Sequence, residues 1–250
     1  MLPRAFLDTP IAHRALHERG AGRIENSMGA VKAAIAGGWG IEIDIQPAGD
    51  GTPMVFHDYD LERLTDVPGF ISQTSPAALS DLRLTDSDDG IPTLEAVLGE
   101  VAGRVPLLIE IKDQDGSLGP AVGALERRVC DLVKTYDGPA ALMSFNPNAV
   151  RQCRGFAPDI PRGLVTDPFT KTDWPMVPAQ RREKLATLRD IDPVEACFIS
   201  HNARDLHSPA VARMKARGLA ILTWTIRSAA QEAQARQIVD NVTFEGYTPA

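Results

Sequence analysis

Two stretches place charged side chains two residues apart inside runs of isoleucine. In "GIEIDIQ", Glu42 and Asp44 alternate with Ile41, Ile43 and Ile45; in "LLIEIKD", Glu110 and Lys112 flank Ile111. Several carboxylates gathered in a partly dry place repel and raise one another's pKa. A divalent cation resolves that conflict, and hard oxygen donors select Mg2+ or Ca2+ over Zn2+. His13 and His57 each end a strand-like run, and polar residues follow them, Arg14 and Asp58. Two imidazoles flanking an anion can divide the work of general base and general acid near neutral pH. Arg14 and Lys112 can neutralise the anion itself. A metal, two histidines and two cations around one point describe phosphate-ester hydrolysis better than sugar or acyl chemistry. Each part also has a plainer reading: Glu110 and Lys112 as an exposed ion pair, the histidines as structural donors.

Such a constellation needs elements that bring residues 13, 42, 57 and 110 together. Side chains alternate across a strand, so Glu42 and Asp44 face one way and the isoleucines the other. Strand-like segments fall at Ile11–His13, Gly40–Ile45, Pro106–Ile111, Ala140–Ser144, Pro161–Val165, Ala196–Ser200, Leu219–Thr225 and Asn241–Glu245. Helix-like segments lie between most of them: Ser27–Ala36, Thr93–Val101, Ala121–Lys134, Pro147–Arg154, Ala179–Leu188, Ser208–Arg217 and Ala229–Val239. Thr93 reads as an N-cap, and Ser208 precedes a proline suited to a first helical turn. This alternation implies parallel strands with right-handed crossovers. Eight strands in 250 residues suit a (β/α)8 TIM barrel, with a doubly wound sheet as the runner-up. The expected organisation is one α/β barrel domain over residues 1–250, with a small insertion after strand two at about 47–104. "PMVFHD" (Pro53–Asp58) reads as an added strand, entered through a turn at Asp50–Gly51.

If helices cover the strands, the isoleucines face the helices. Glu42, Asp44, Glu110 and Lys112 then point inward near the barrel mouth. Other strand ends carry Ser144, Ser200–His201, Trp224–Thr225 and Glu245. Trp224 and Phe145 are open between core packing and pocket lining, and His201 reads as structural.

The chain is 44% hydrophobic and 24% charged, with a net charge of −7. It has no Lys/Arg cluster of five or more, which argues against a nucleic-acid partner but leaves a small anionic substrate open. The N-terminus lacks a signal-peptide pattern, and no apolar window reaches ~18 residues, so no membrane span is expected. Cys130, Cys153 and Cys197 are widely spaced, which suits reduced, mostly buried thiols in the cytoplasm. No phosphate-binding glycine motif of the Walker or dinucleotide type is present. Nothing in the sequence assigns an oligomeric state.

The chain resembles the glycerophosphodiester phosphodiesterases. The resemblance rests on "AHRA…RIENS" (Ala12–Ser27), "GIEIDIQ…GDGTPMVFHDYDLERLT" (Gly40–Thr65), "IPTLEAVL" (Ile91–Leu98), "LLIEIKD" (Leu107–Asp113), "MSF" (Met143–Phe145) and "LTWTIR" (Leu222–Arg227). It implies a TIM barrel and one divalent cation, Ca2+ or Mg2+, on Glu42, Asp44 and Glu110. It implies His13 and His57 as the acid–base pair, Arg14 and Lys112 on the phosphate, and Trp224 in the substrate pocket. Glu25 and Asn26 match the family's E-N and are expected to support the site. The reaction implied is cleavage of a glycerophosphodiester to sn-glycerol 3-phosphate and an alcohol. Attack comes from water or from the substrate's own glycerol 2-hydroxyl. The chain departs from the pattern at Ala15 (usually Gly), Ile24 (usually Pro) and "NVTFEGYTP", which puts Glu245 in the usual Asp region. Two other readings compete: a lysophospholipase D-type enzyme of the same fold, with "VPGFI" (Val67–Ile71) as a lipid-facing lip, and a non-catalytic barrel that binds a phosphorylated ligand.

Overall fold

The computed structural model describes residues 1–249. A short helix, α1 (Ala5–Asp8), precedes β1 (Ile11–Ala12), α2 (Met28–Gly37) and β2 (Gly40–Pro47). Next come β3 (Pro53–Val55), α3 (Glu62–Thr65), α4 (Pro76–Asp81), α5 (Leu94–Val101) and β4 (Leu107–Ile111). The chain continues through α6 (Ala124–Val133), β5 (Ala140–Ser144), α7 (Pro147–Phe156) and β6 (Arg162–Thr166). It ends with α8 (Ala179–Ala186), α9 (Ile191–Val194), β7 (Phe198–Asn202), α10 (Pro209–Ala216), β8 (Ala220–Ile226), α11 (Ala229–Ala235) and β9 (Asn241–Phe244). The strand order is β1-β9-β8-β7-β6-β5-β4-β2-β3, and β1 also pairs with β2. Eight parallel strands therefore close into a (β/α)8 barrel, while β3 hangs antiparallel on β2 outside the ring.

The isoleucine alternation sets which face the acids occupy. Ile41, Ile43, Ile45, Ile109 and Ile111 lie in one apolar layer with Ala30, Val31 and Ala34 of α2 and Val97 and Val101 of α5. Each buried isoleucine is worth about 1.5–3 kcal/mol. A one-residue slip of β2 would forfeit three of them and drive two carboxylates into that layer, so the register is strongly specified. Asp44 pairs with Glu110 across the β2–β4 ladder, and this register aligns the two acids. A second apolar cluster brings together Phe6 of α1 with Leu108, Ala141, Phe198 and Leu222 of the strands. Gly163 lets the Phe198 ring lie against β6, where a Cβ would come within 2.4 Å of it.

Helix starts follow their caps. Ser27, Thr93 and Ser208 accept hydrogen bonds from the amides of Ala30, Ala96 and Val211, and Pro209 opens α10. Four short helices, α1, α3, α4 and α9, carry too few turns for a periodic signal. The expected helix start at Ala121 moves to Ala124, because Gly123 adopts φ +125° and its amide is held by Glu126. The expected strand Pro53–Asp58 ends at Val55, so His57 sits two residues beyond it. Between β2 and β4, Met54, Phe56, Leu61, Leu64, Ile71, Leu79 and Ile91 form an apolar cluster of their own.

Candidate active site

One cavity of about 410 Å³ opens among His13, Arg14, Glu42, His57, Glu110, Lys112, Phe145, Trp174 and Trp224. Most of these follow from strand geometry: His13 and Arg14 leave β1, Glu42 rises from β2, Glu110 from β4 with Lys112 just past its end, and Trp224 from β8. His57 is brought in by the hairpin that β3 makes with β2.

Glu42, Asp44 and Glu110 are buried and offer oxygens within 4.8 Å of one another. Glu42 accepts the Arg14 amide on Oε2 at 2.9 Å, while its buried Oε1 has no protein partner. Burial pushes the Glu42 carboxyl well above its usual range, and Asp44 and Glu110 push it further. Burial also acts upward on Asp44, but Lys112, His57 and Arg14 outweigh it and hold this carboxyl far below its usual range. Lys112 Nζ lies 2.7 Å from both Asp44 Oδ1 and Glu110 Oε1. The lysine and Arg14 thus face the acids as well as the cavity. An orphaned oxygen in an all-carboxylate group suits a hard divalent cation.

Two imidazoles stand beside this group, each against a carboxylate. His13 Nδ1 lies 2.8 Å from Glu245 Oε2, and His57 Nδ1 lies 2.6 Å from Asp58 Oδ1. Burial pulls His13 below the usual imidazole value, against the upward pull of Glu245. For Asp58, burial acts upward, and hydrogen bonds from His57 and Arg63 overcome it, so the group stays ionised. Glu25 bridges the two halves: its carboxylate accepts from Arg14 Nη1 at 2.7 Å and from both Arg63 terminal nitrogens at 2.7 and 2.9 Å.

Arg14 and Ala15 have φ of +54° and +63°, the left-handed region that favours glycine. The turn they make aims the Arg14 amide at the Glu42 carboxylate and the Ala15 amide at the Glu42 carbonyl. Asn26 stands just before the helix cap Ser27 and pairs with Asp44.

Several cavity residues escape strand-end reading. Trp174 comes from the irregular segment between β6 and α8, and its ring lies 4.8 Å from Phe145, which in turn lies 5.5 Å from Trp224. Asp167 is buried behind it and accepts from Trp174 Nε1 at 3.2 Å and from Asn202 Nδ2 at 2.8 Å. Asp167 and Asn202 do sit at the ends of β6 and β7, so the rule that found Glu42 points to them too. Ser200 and Thr243 line the cavity with buried hydroxyls that lack a protein partner. His201 is buried between Thr166 Oγ1 at 2.7 Å and Asp205 Oδ2 at 3.1 Å, as expected of a structural histidine.

A closed parallel barrel with acids, imidazoles and cationic side chains gathered at the carboxyl ends of its strands defines a (β/α)8 protein with a polar, charged mouth. The chain belongs to the glycerophosphoryl diester phosphodiesterase family, whose sequence model matches residues 13–244. It is 28% identical over 156 residues to human glycerophosphodiester phosphodiesterase 1, a match covering 58% of this chain and 46% of that protein. It is 27% identical over 164 residues to a glycerophosphodiester phosphodiesterase of Caldanaerobacter subterraneus subsp. tengcongensis, covering 61% of this chain and 65% of the other. The chain thus spans less than two thirds of either relative. A solved phosphodiesterase of Oleispira antarctica, in complex with the product sn-glycerol-3-phosphate, shares the fold with a TM-score of 0.75 at 24% identity. That likeness covers 96% of this chain and 94% of the other.

Proposed function

We propose that this protein hydrolyses glycerophosphodiesters to sn-glycerol 3-phosphate and an alcohol, with one divalent cation, Ca2+ or Mg2+, held by Glu42, Asp44 and Glu110. The observation that carries this reading is a cluster of three buried carboxylates, two of which, Glu42 and Glu110, line one cavity with two carboxylate-partnered imidazoles. The reading treats residues 1–250 as one barrel domain. When bound, the cation supplies charge stabilisation at the phosphoryl oxygens.

The chain's own groups do the rest. One imidazole of the His13–His57 pair takes the proton from the attacking oxygen as the new P–O bond forms. The other gives a proton to the departing alkoxide as the P–O bond to the alcohol breaks. The attacking oxygen is that of water, or the glycerol 2-hydroxyl with water opening the cyclic ester afterwards. Arg14 and Lys112 face the phosphoryl group, and Trp224, Phe145 and Trp174 form an apolar wall for the remainder of the substrate.

Purified protein given Ca2+ or Mg2+ should release sn-glycerol 3-phosphate from glycerophosphocholine. No turnover of any glycerophosphodiester with either cation refutes the reading. A lysophospholipase D-type activity is the second reading, favoured by Val67 and Phe70 in the insertion, which are 40% and 50% exposed. Faster turnover of lysolipid vesicles than of water-soluble diesters would select it. No helix among the described residues is long and apolar enough to cross a membrane. A cytoplasmic location is part of the reading, supported by three unpaired thiols of which Cys130 and Cys153 are buried.

A further inference from the structure

Glu245 stands outside the metal and acid–base sets, yet its two oxygens are divided between groups at the cavity. Oε2 lies 2.8 Å from His13 Nδ1 and 3.7 Å from His17 Nε2. Oε1 lies 2.5 Å from Arg227 Nε. The carboxylate therefore cannot turn without losing a partner on one side. The backbone on both sides is equally fixed. The His13 amide donates to the Phe244 carbonyl at 2.9 Å, and the Glu245 amide donates to the Ile226 carbonyl at 3.0 Å. Residues 13 and 245 are thus locked side by side at the seam where β1 meets β9.

We propose that Glu245 is a positioning residue: it holds the His13 ring in the tautomer with the proton on Nδ1, leaving Nε2 bare toward the cavity. This rests on the assignment of His13 to the acid–base pair. The reason is the hydrogen-bond inventory. An ionised carboxylate only accepts, so the nitrogen facing it must carry a hydrogen, and a neutral ring has only one to give. Glu245 is kept ionised first by the His13 bond itself and then by His17, which exceed the effect of its partial burial. Arg227 completes the arrangement as an anchor at the rim. Asp58 gives His57 the same kind of partner from a different element, so both rings are oriented by a carboxylate on the far nitrogen.

The test compares wild type with Glu245→Gln, Glu245→Asp and Glu245→Ala, reading kcat and KM on glycerophosphocholine and the ring-nitrogen chemical shifts of His13. Wild type should show a protonated Nδ1 and a bare Nε2. Glu245→Ala and Glu245→Gln should shift His13 toward the Nε2-protonated tautomer. Their kcat should fall by about 10- to 100-fold with KM changed by less than about twofold. Glu245→Asp should recover part of kcat and of the wild-type shifts. Wild-type kcat and unaltered His13 shifts in Glu245→Ala would overturn the proposal, as would a loss confined to KM. If Glu245→Ala melts below assay temperature, the two conservative variants decide. If wild type turns over no glycerophosphodiester, the functional reading falls, and the nitrogen shifts alone decide whether Glu245 sets the ring.

Discussion

Asn26 and Asp44 grip each other through two hydrogen bonds: Asn26 Nδ2 donates to Asp44 Oδ2 at 2.8 Å, and the Asp44 amide donates to Asn26 Oδ1 at 3.2 Å. Both residues are buried, and Asn26 adopts φ +61°, a conformation asparagine tolerates better than most residues. The pair occupies Asp44 Oδ2 and leaves Oδ1 to Lys112 Nζ, 2.7 Å away on the side of Glu110. Asn26→Ala strands a buried carboxylate oxygen and an amide. It should cost about 1–3 kcal/mol of stability. It should also weaken Ca2+ or Mg2+ binding by roughly 10- to 100-fold, as loss of a supporting bond to a ligand does. Thermal melts and calorimetric titration read the two effects separately.

Glu42→Gln tests the cation site from the other side. The native carboxyl is forced upward by burial and by Asp44 and Glu110, so the neutral amide relieves repulsion rather than breaking a needed pair. The variant should fold as well as wild type in the presence of chelator. Hydrolysis should drop by roughly 100-fold or more, because several kcal/mol of charge stabilisation are lost with the cation. Unchanged turnover would remove Glu42 from the site.

The isoleucine alternation made this much of the site legible. Period-two spacing told which way Glu42, Asp44, Glu110 and Lys112 point before any coordinate was known. It could not reveal Trp174, because an irregular segment has no period from which to read a facing. The Glu110–Lys112 ion pair could be read from their spacing, but not that it is buried, nor that Lys112 and Arg14 also reach Asp44, since contacts between strands depend on register. Glu245 stood out only as a departure at a strand end, and its link to His13 needed the barrel to close. The four short helices were invisible because one or two turns leave no pattern.

Acid should weaken the fold in a defined window. His13 and His201 are both pulled below the usual imidazole value, first by burial, so the unfolded chain binds protons that the native state does not. The stability they contribute is complete above about pH 6.5 and is lost as pH falls below it. Glu245, whose carboxyl is held low, stays ionised here and adds no slope. Glu42, whose carboxyl is held high, acts in the opposite sense, so the difference between proteins is the test: between about pH 7.5 and 5.5, with chelator, the urea midpoint of His201→Gln should fall less, or rise more, than that of wild type. An identical slope in the variant would contradict the assignment.

The aromatic wall should act on binding. Trp224 donates from Nε1 to the Ser200 carbonyl at 3.0 Å, which fixes its ring edge-on to Phe145. Trp224→Ala should raise KM for glycerophosphocholine by about 5- to 10-fold with a smaller change in kcat, the scale of one lost aromatic contact. Steady-state kinetics would show the split, and a change confined to kcat would place the ring elsewhere.

The most direct test measures sn-glycerol 3-phosphate release from glycerophosphocholine by protein stripped with EDTA, before and after Ca2+ or Mg2+ is restored, alongside Asp44→Asn. Stripped protein should be inactive, the restored cation should bring activity back, and Asp44→Asn should not recover. Full activity in EDTA, or recovery by Asp44→Asn equal to wild type, would contradict a cation held by these three acids.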